Sequence, residues 1–302
     1  MNIQLYKPRQ TFLPFIIALF SLFLSFGLVS CDSDDNNSSG VSQEVGYDIS
    51  RLQMTHKSYD TSIRTSNARG IQLIGDTLLI VFARSTNAAE SYILAEKSEI
   101  NTASHWKSFS ATPFIGSTYQ GIHGHGIYLK PDDLSRMWIL NRTEIWQFDL
   151  SVPGDISTST QSGYYDFNNS IERGHSIYLS AAGDYLYIDD RAMEVIHQFE
   201  LTELWDINAI GNSFAFSPNE LHHGVREVVL HSNGTEMNTL DTREQLLRTY
   251  VLEEPWMVES AIFKDEISVD ISNPRAFEWN STGEKAYIMN TDTGVIYQYE
   301  IQ

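Results

Sequence analysis

The feature that most constrains this chain is a motif that returns five times along it. Ile71-Gln72-Leu73, Ile127-Tyr128-Leu129, Ile177-Tyr178-Leu179, Val228-Val229-Leu230 and Phe277-Glu278-Trp279 recur at intervals of 56, 50, 51 and 49 residues. Apolar side chains flank a central position in each, the period of a strand. A turn follows, clearest at Ala182-Gly183-Asp184, Asn233-Gly234-Thr235 and Thr282-Gly283-Glu284, where glycine supplies the positive φ of a tight hairpin. A second strand comes next, as in Met137-Trp138-Ile139-Leu140 and Tyr185-Leu186-Tyr187-Ile188. The third strand carries an aromatic two positions before an aliphatic: Tyr92/Leu94, Phe148/Leu150, Phe199/Leu201, Tyr250/Leu252 and Tyr299/Ile301. Residues two apart on a strand share a face, so each pair enters one sheet interface. Six residues past four of these aliphatics stand Ile100, Ile156, Ile207 and Val258, ahead of a fourth strand.

Four short strands in a unit of about 50 residues, repeated with no helical periodicity between them, predict an all-β chain folded as a β-propeller. The fifth unit ends at Gln302 after its third strand. Its remainder is found at the other end, because Tyr47-Asp48-Ile49-Ser50 matches Trp205-Asp206-Ile207-Asn208 and Gly154-Asp155-Ile156-Ser157. Residues 51–60 are therefore expected to complete the last blade, and five blades account for residues 46–302. The phrases Phe148-Asp149-Leu150-Ser151 to Gly154-Asp155-Ile156-Ser157-Thr158-Ser159, and Phe199-Glu200-Leu201-Thr202 to Trp205-Asp206-Ile207-Asn208-Ala209, resemble a family of bacterial and phage propeller-repeat proteins. Blades of that family carry Tyr-Asp-Leu-Ser and Trp-Asp-Ile-Ser-Thr-Ala. The resemblance weakens in the fourth unit and implies a fold, with no active site.

Ahead of the repeats, Lys7 and Arg9 precede an apolar run from Thr11 to Gly27 that closes on Leu28-Val29-Ser30-Cys31. Positive n-region, apolar h-region and a small residue before a cut describe an export signal over residues 1–30. Leu-Val-Ser-Cys resembles the lipobox of bacterial lipoproteins, which implies that Cys31, the only cysteine, is acylated and anchors the chain to a membrane of the cell envelope, the outer membrane being the expected one. The alternative is an uncleaved transmembrane anchor. Asp32 to Gly40 is polar, acidic and without apolar side chains, so residues 31–45 are expected to form a flexible tether.

Lys and Arg total 20 against 39 Asp and Glu, a formal charge of −19. Loss of residues 1–30 removes two basic groups and no acidic one, which makes it −21. That sign repels a phosphate backbone and excludes a nucleic-acid binder. A hydrophobic content of 42% excludes global disorder, and one cysteine excludes a disulfide framework or a Cys-cluster zinc site.

Against that acidic background, the loops that feed the five first strands are basic. Arg69, His125, His175, Arg226 and Arg275 fall in one register, two residues before the first apolar position of each blade. Two places upstream lie Asn67, His123, Arg173, Gly224 and Asn273, with His222 and His223 adjacent. In a propeller the first strand lies nearest the axis, so these side chains are expected around one mouth. They can brace the loops, which an arginine before the first strand also does in the family it resembles. They can trap a small anion, an acidic glycan or the acidic tail of an envelope protein, since guanidinium offers a fork to carboxylate or phosphate. His123, His125 and His175, with His222 or His223, can hold a transition metal, although neighbouring guanidinium groups oppose a divalent ion.

Asp189, Asp190, Asp241 and Asp292 are placed in the loops between second and third strands, as turn formers more than calcium ligands. No nucleophile elbow, phosphate loop or His-Glu-x-x-His helix occurs. The paired axial carboxylates of propeller glycosidases are not seen in a register that is basic. The expected function is a monomeric, non-enzymatic binding protein. The alternative is a hydrolase or lyase of lactone or sugar substrates using an axial His-bound metal.

Overall fold

The computed structural model describes residues 46–65, 67–116, 123–167, 170–217 and 224–302. Cys31, the export signal, the tether, His222 and His223 therefore lie outside the described residues. Five four-stranded antiparallel sheets form the blades of a ring. Strand β1 (Leu52–Asp60) precedes blade 1, which is β2 to β5 (Ala68–Ile74, Leu78–Ala83, Ala88–Leu94, Ala103–Ser110). Blade 2 is β6 to β9 (Gly126–Leu129, Arg136–Leu140, Glu144–Leu150, Ser159–Asp166). Blade 3 is β10 to β13 (Gly174–Leu179, Tyr185–Asp190, Val195–Leu201, Ile210–Phe216). Blade 4 is β14 to β17 (Val225–Leu230, Glu236–Asp241, Leu246–Leu252, Ala261–Ser268), and blade 5 runs from β18 to β20 (Pro274–Trp279, Lys285–Asn290, Val295–Ile301) and is completed by β1.

The Asp-Ile-Ser phrase has a local cause. Asp48, Asp155 and Asp206 each accept a hydrogen bond from the backbone N–H two residues on, at 3.0, 3.1 and 2.9 Å, which opens a single 3-10 turn before the outer strand. The turn drives Ile49, Ile156 and Ile207 between blades, where they are buried. Glycine in the hairpin after the first strand meets two demands at once. Gly183 and Gly234 have φ of 75° and 71°, and a Cβ on either would stand 2.2 Å from the ring of Trp205 or Trp256. Inner and middle strands are buried on both faces, whereas the outer strands alternate, as in the half-buried and exposed run of Ala261–Ser268.

Neighbouring blades are tied by polar side chains that reach the next blade's backbone. Gln147, Gln198 and Gln298 are fully buried, and their side-chain oxygens accept from the N–H of Ile207, Val258 and Ile100 at 3.1, 2.9 and 3.0 Å. Nearer the axis, the central residue of the repeated motif plays the same part. Gln72 bonds both the N–H and the C=O of Leu129, Tyr128 donates to Leu179 O, Tyr178 donates to Leu230 O, and Glu278 accepts from the Leu73 N–H. Val229 occupies that position in blade 4 and cannot form such a bond.

Closure of the ring is as the repeat requires. Strand β1 pairs antiparallel with β20, Leu52 opposite Ile301 and Asp60 opposite Val295, with a bulge between Met54 and Ser58. Arg51 Nε donates to Gln302 O at 2.8 Å, and Thr61 Oγ1 donates to Gly294 O at 2.7 Å.

Candidate functional site: a basic axial mouth

Four of the five axial basic residues sit on irregularities of the inner strands. Ala68 pairs with Ala83 and Gly70 with Phe82, which leaves Arg69 as the extra residue of a bulge. Arg226 stands in the same way between Val225 and Glu227, and Arg275 between Pro274 and Ala276. In blade 3 the register shifts between Gly174 and Ile177, across His175 and Ser176. A bulge re-aims the extra side chain, and here it turns each one toward the axis. His125 lies just before β6, its N–H bonded to Leu140 O at 2.7 Å. Arg69, His125, His175, Arg226 and Arg275 together line one opening, packed so closely that no water-sized space lies between them.

The contacts define the tautomer of one imidazole. The His175 Nδ1 faces the carbonyl of Arg173 at 3.0 Å and its Nε2 faces Arg226 Nη1 at 3.3 Å, so Nδ1 carries the proton and Nε2 accepts. The His125 ring meets that of His175 edge to face with centroids 4.7 Å apart. Burial, followed by the charge of Arg69, holds His125 well below the usual 6.5. Burial, then His125 and Arg226, does the same to His175. Both rings are neutral at physiological pH. Burial and the guanidinium groups that share the site both oppose a positive charge on either ring.

The arginines have more donors than partners. Nε of Arg69, Arg226 and Arg275, Nη1 of Arg275 and both ring nitrogens of His125 are buried without a hydrogen-bond partner among the described residues. Burial and the charge of Arg275 press Arg69 down from 12.5 to about 9, and the same two causes take Arg226 to about 9. All three stay cationic at pH 7. Elsewhere this protein gives a buried arginine carboxylate partners: Arg248 meets Glu266 at 3.0 Å, Asp241 at 3.6 Å and Glu244.

The carboxylates nearest the axial ring are Asp292 and Asp189. Asp292 offsets Arg69 and Arg275 and is held by Asn273 Nδ2 at 2.8 Å. Asp189 is fully buried beneath Arg226, accepts from the N–H and hydroxyl of Ser176, and is pushed up to about 6, chiefly by burial. The expectation that Asp189, Asp190 and Asp241 lie in loops is corrected, since they end the second strands and are buried. Asp190 accepts from four backbone N–H groups and Asp241 from those of Arg243 and Glu244, which bears out turn formation.

Two features escaped sequence reasoning. A second ring of arginines surrounds the first: Arg84, Arg142, Arg191 and Arg243 follow the second strands of blades 1 to 4, and their fields reach one another and the inner set. These arginines stand at unequal offsets, 13, 15, 14 and 15 residues past the first apolar position of each blade, which hides them from a fixed register. Arg173 belongs to this outer tier, and its charge presses on Arg191. His123 is half-buried there, bonded to the backbone of Arg84.

The second feature is a pair of acids one level deeper. Glu227 and Glu278 line the axial channel with Gln72, Tyr128 and Tyr178. An axial register read as free of carboxylates therefore needs correction, because inner-strand residues on the channel side were counted as ordinary strand positions. As for a metal, His123, His125 and His175 belong to no group of three or more His, Cys, Asp or Glu placed to hold one among the described residues. Of the six tryptophans, Trp138, Trp146, Trp205 and Trp279 are buried in the core and Trp106 is exposed.

No protein-family model matches the sequence, and no curated protein matches it either. Solved structures resemble the chain at low identity. The chain is 9% identical to the β-propeller domain of Swd1 from Myceliophteria thermophila, with a TM-score of 0.47, covering 78% of this chain and 84% of that one. It is 10% identical to a functionally unknown protein of Desulfotomaculum acetoxidans, with a TM-score of 0.44, and 14% identical to a periplasmic gluconolactonase of Pseudomonas aeruginosa, with a TM-score of 0.46. In both cases 74% of this chain is covered, and it spans 63% of the length of the other protein.

Proposed function

We propose that this chain is a lipid-anchored binding protein of the bacterial cell envelope that captures an anionic group at the basic mouth of its propeller. The observation that carries the reading is the convergence of Arg69, Arg226 and Arg275, with buried donors that lack partners, in a chain of formal charge −19. Concentrating guanidinium groups there costs stability unless an anion offsets them. Since the inner five side chains close the channel, the anion rests on them from outside, within the ring of Arg84, Arg142, Arg191 and Arg243. A terminal carboxylate or phosphate meets that geometry, as in an acidic sugar or an acidic peptide tail.

Calorimetric titration of the full chain with inorganic phosphate, glucuronate and an oligoglutamate peptide tests this. One of the three is expected to bind, and Arg226→Ala should weaken it by about 1–3 kcal/mol, the worth of a charge-assisted hydrogen bond. Affinity should rise as the pH falls from 7 to 5. The cause is Asp189, which becomes neutral below about 6 and removes a negative charge beside Arg226. Asp189→Asn should hold the low-pH affinity throughout. If none of the probes binds and Arg226→Ala only lowers the melting temperature, the arginines brace loops and the reading fails.

The anchor rests on Leu28-Val29-Ser30-Cys31. Cys31→Ser is expected to abolish metabolic labelling with a fatty-acid analogue and to leave a larger, unprocessed precursor. Labelling that persists in the variant overturns the lipoprotein assignment.

A further inference from the structure

A second cavity lies at the end of the channel opposite the arginines. Each inner strand runs away from the basic mouth, and exposed residues just beyond them, Gly75, Pro131, Ala181, Ser232 and Ser281, form its rim. The space is about 230 Å3, enough for one small molecule. Its walls are aromatic. Tyr128 and Tyr178 meet edge to face at 5.4 Å, and Tyr47 stands edge-on to Trp279 at 5.5 Å. Val229 contributes a gap in the ring of inter-blade bonds and widens the apolar surface between Tyr178 and Glu278.

The polar groups at the floor are almost all committed. Gln72 gives its amide to Leu129 in both directions, at 3.0 and 2.7 Å, and the hydroxyls of Tyr128 and Tyr178 are bonded to carbonyls at 3.2 and 2.7 Å. Glu278 differs. Its Oε1 accepts from Trp279 N–H at 2.9 Å and it takes the Leu73 N–H, which leaves acceptor capacity on a carboxylate. Glu227 stands behind it in the same channel. Electron-rich ring faces around an acid attract a positive charge with an apolar body.

We propose that this cavity binds a small organic ammonium ion, its alkyl groups against Tyr47, Tyr128, Tyr178 and Trp279 and its charge toward Glu278. The site is independent of the anion mouth and lies on the other face of the ring. Binding is coupled to a proton. Burial pushes Glu278 up to about 8, and the titratable groups around it and behind the cavity wall are Glu227 from β14, Asp189 beyond Glu227, Tyr128 from β6, Tyr178 from β10, Tyr47, and His231, whose ring lies 4.4 Å from that of Tyr47. An ammonium ion beside Glu278 favours the carboxylate, so the proton leaves as the ligand enters.

The test is calorimetry of the full chain with tetramethylammonium, choline and 3,3-dimethylbutan-1-ol, the uncharged isostere of choline. At least one cation should bind at least tenfold more tightly than the isostere. Its binding heat should vary with the ionisation enthalpy of the buffer, and its affinity should weaken about tenfold per pH unit between 8 and 6. Glu278→Gln keeps the hydrogen-bonding shape that Gln72 uses and should remove both the preference for charge and the proton release, with circular dichroism confirming the fold. Equal binding of the isostere, no binding of either cation to the folded chain, or a cation affinity unchanged in Glu278→Gln overturns the proposal. The comparison of charged and neutral probes on the unsubstituted chain decides it even if the variant fails to fold.

Discussion

A chain that lacks residues 46–60 is expected to aggregate instead of purifying as a folded monomer. Those residues are the last strand of blade 5 and one wall of the joint between blades 4 and 5. Without them β20 presents a full row of unpaired N–H and C=O groups, a template for another chain. The loss also uncovers a core. Ile49 is 2% exposed and packs in one cluster with Leu240, Leu247, Phe277 and Tyr299, drawn from both blades. The Tyr47 N–H donates to Gly283 O at 2.8 Å and its ring covers the Gly283 turn. Size-exclusion chromatography and a melting curve check the outcome, and a soluble monomer of unchanged melting temperature would remove the clasp from the account. A smaller version of the experiment is Ile49→Ala, which should cost about 2–4 kcal/mol, as deletion of a buried isoleucine side chain does.

The second large effect is a loss of stability with rising pH, centred on the acids of the channel. Glu278 is pushed from 4.5 to about 8 by burial, and Glu227 is raised well above its ordinary value by burial and by Asp189 and Glu278. In the unfolded chain both return to the usual carboxylate range. Between about 4.5 and 8 the folded state therefore holds a proton on Glu278 that the unfolded state has released. The resulting stabilisation is complete below 4.5 and disappears as the pH rises through about 8. From one group the full swing is about 5 kcal/mol.

A protonated Glu278 resembles the amide of Gln72, which fills the same position in blade 1 and bonds the next blade. Glu278→Gln should therefore fold, and its melting temperature should fall less steeply between pH 5 and 9 than that of the unsubstituted chain. The part that remains belongs to Glu227, and the double substitution with Glu227→Gln should flatten the profile further. Identical pH profiles for all three chains would show that these carboxyls are not held neutral in the fold.

Blade number, ring closure and the axial basic residues were legible because the repeat carries its own register. Once Ile71, Ile127, Ile177, Val228 and Phe277 are equivalent, any residue at a fixed offset from them occupies an equivalent place around a pseudo-symmetric ring. That step alone brings Arg69, His125, His175, Arg226 and Arg275 together, and it assigns Tyr47-Asp48-Ile49-Ser50 to the blade that ends at Gln302. Arg84, Arg142, Arg191 and Arg243 stand 13, 15, 14 and 15 residues past the first apolar position of their blades, so no fixed offset brings them together.

Tertiary structure alone decided the protonation states and the depth of the site. His125 and His175 are neutral because they are buried among guanidinium groups from other blades, and Asp189 and Glu278 are raised to about 6 and about 8 because the blades together desolvate them. Strand alternation shows that Glu227 and Glu278 lie on one side or the other of an inner strand. It cannot show that the channel side, where five strands converge, is the dry one. A repeat places residues by offset, which is local and readable, whereas desolvation is the sum over every chain segment that closes on a group, and exists only when the ring does.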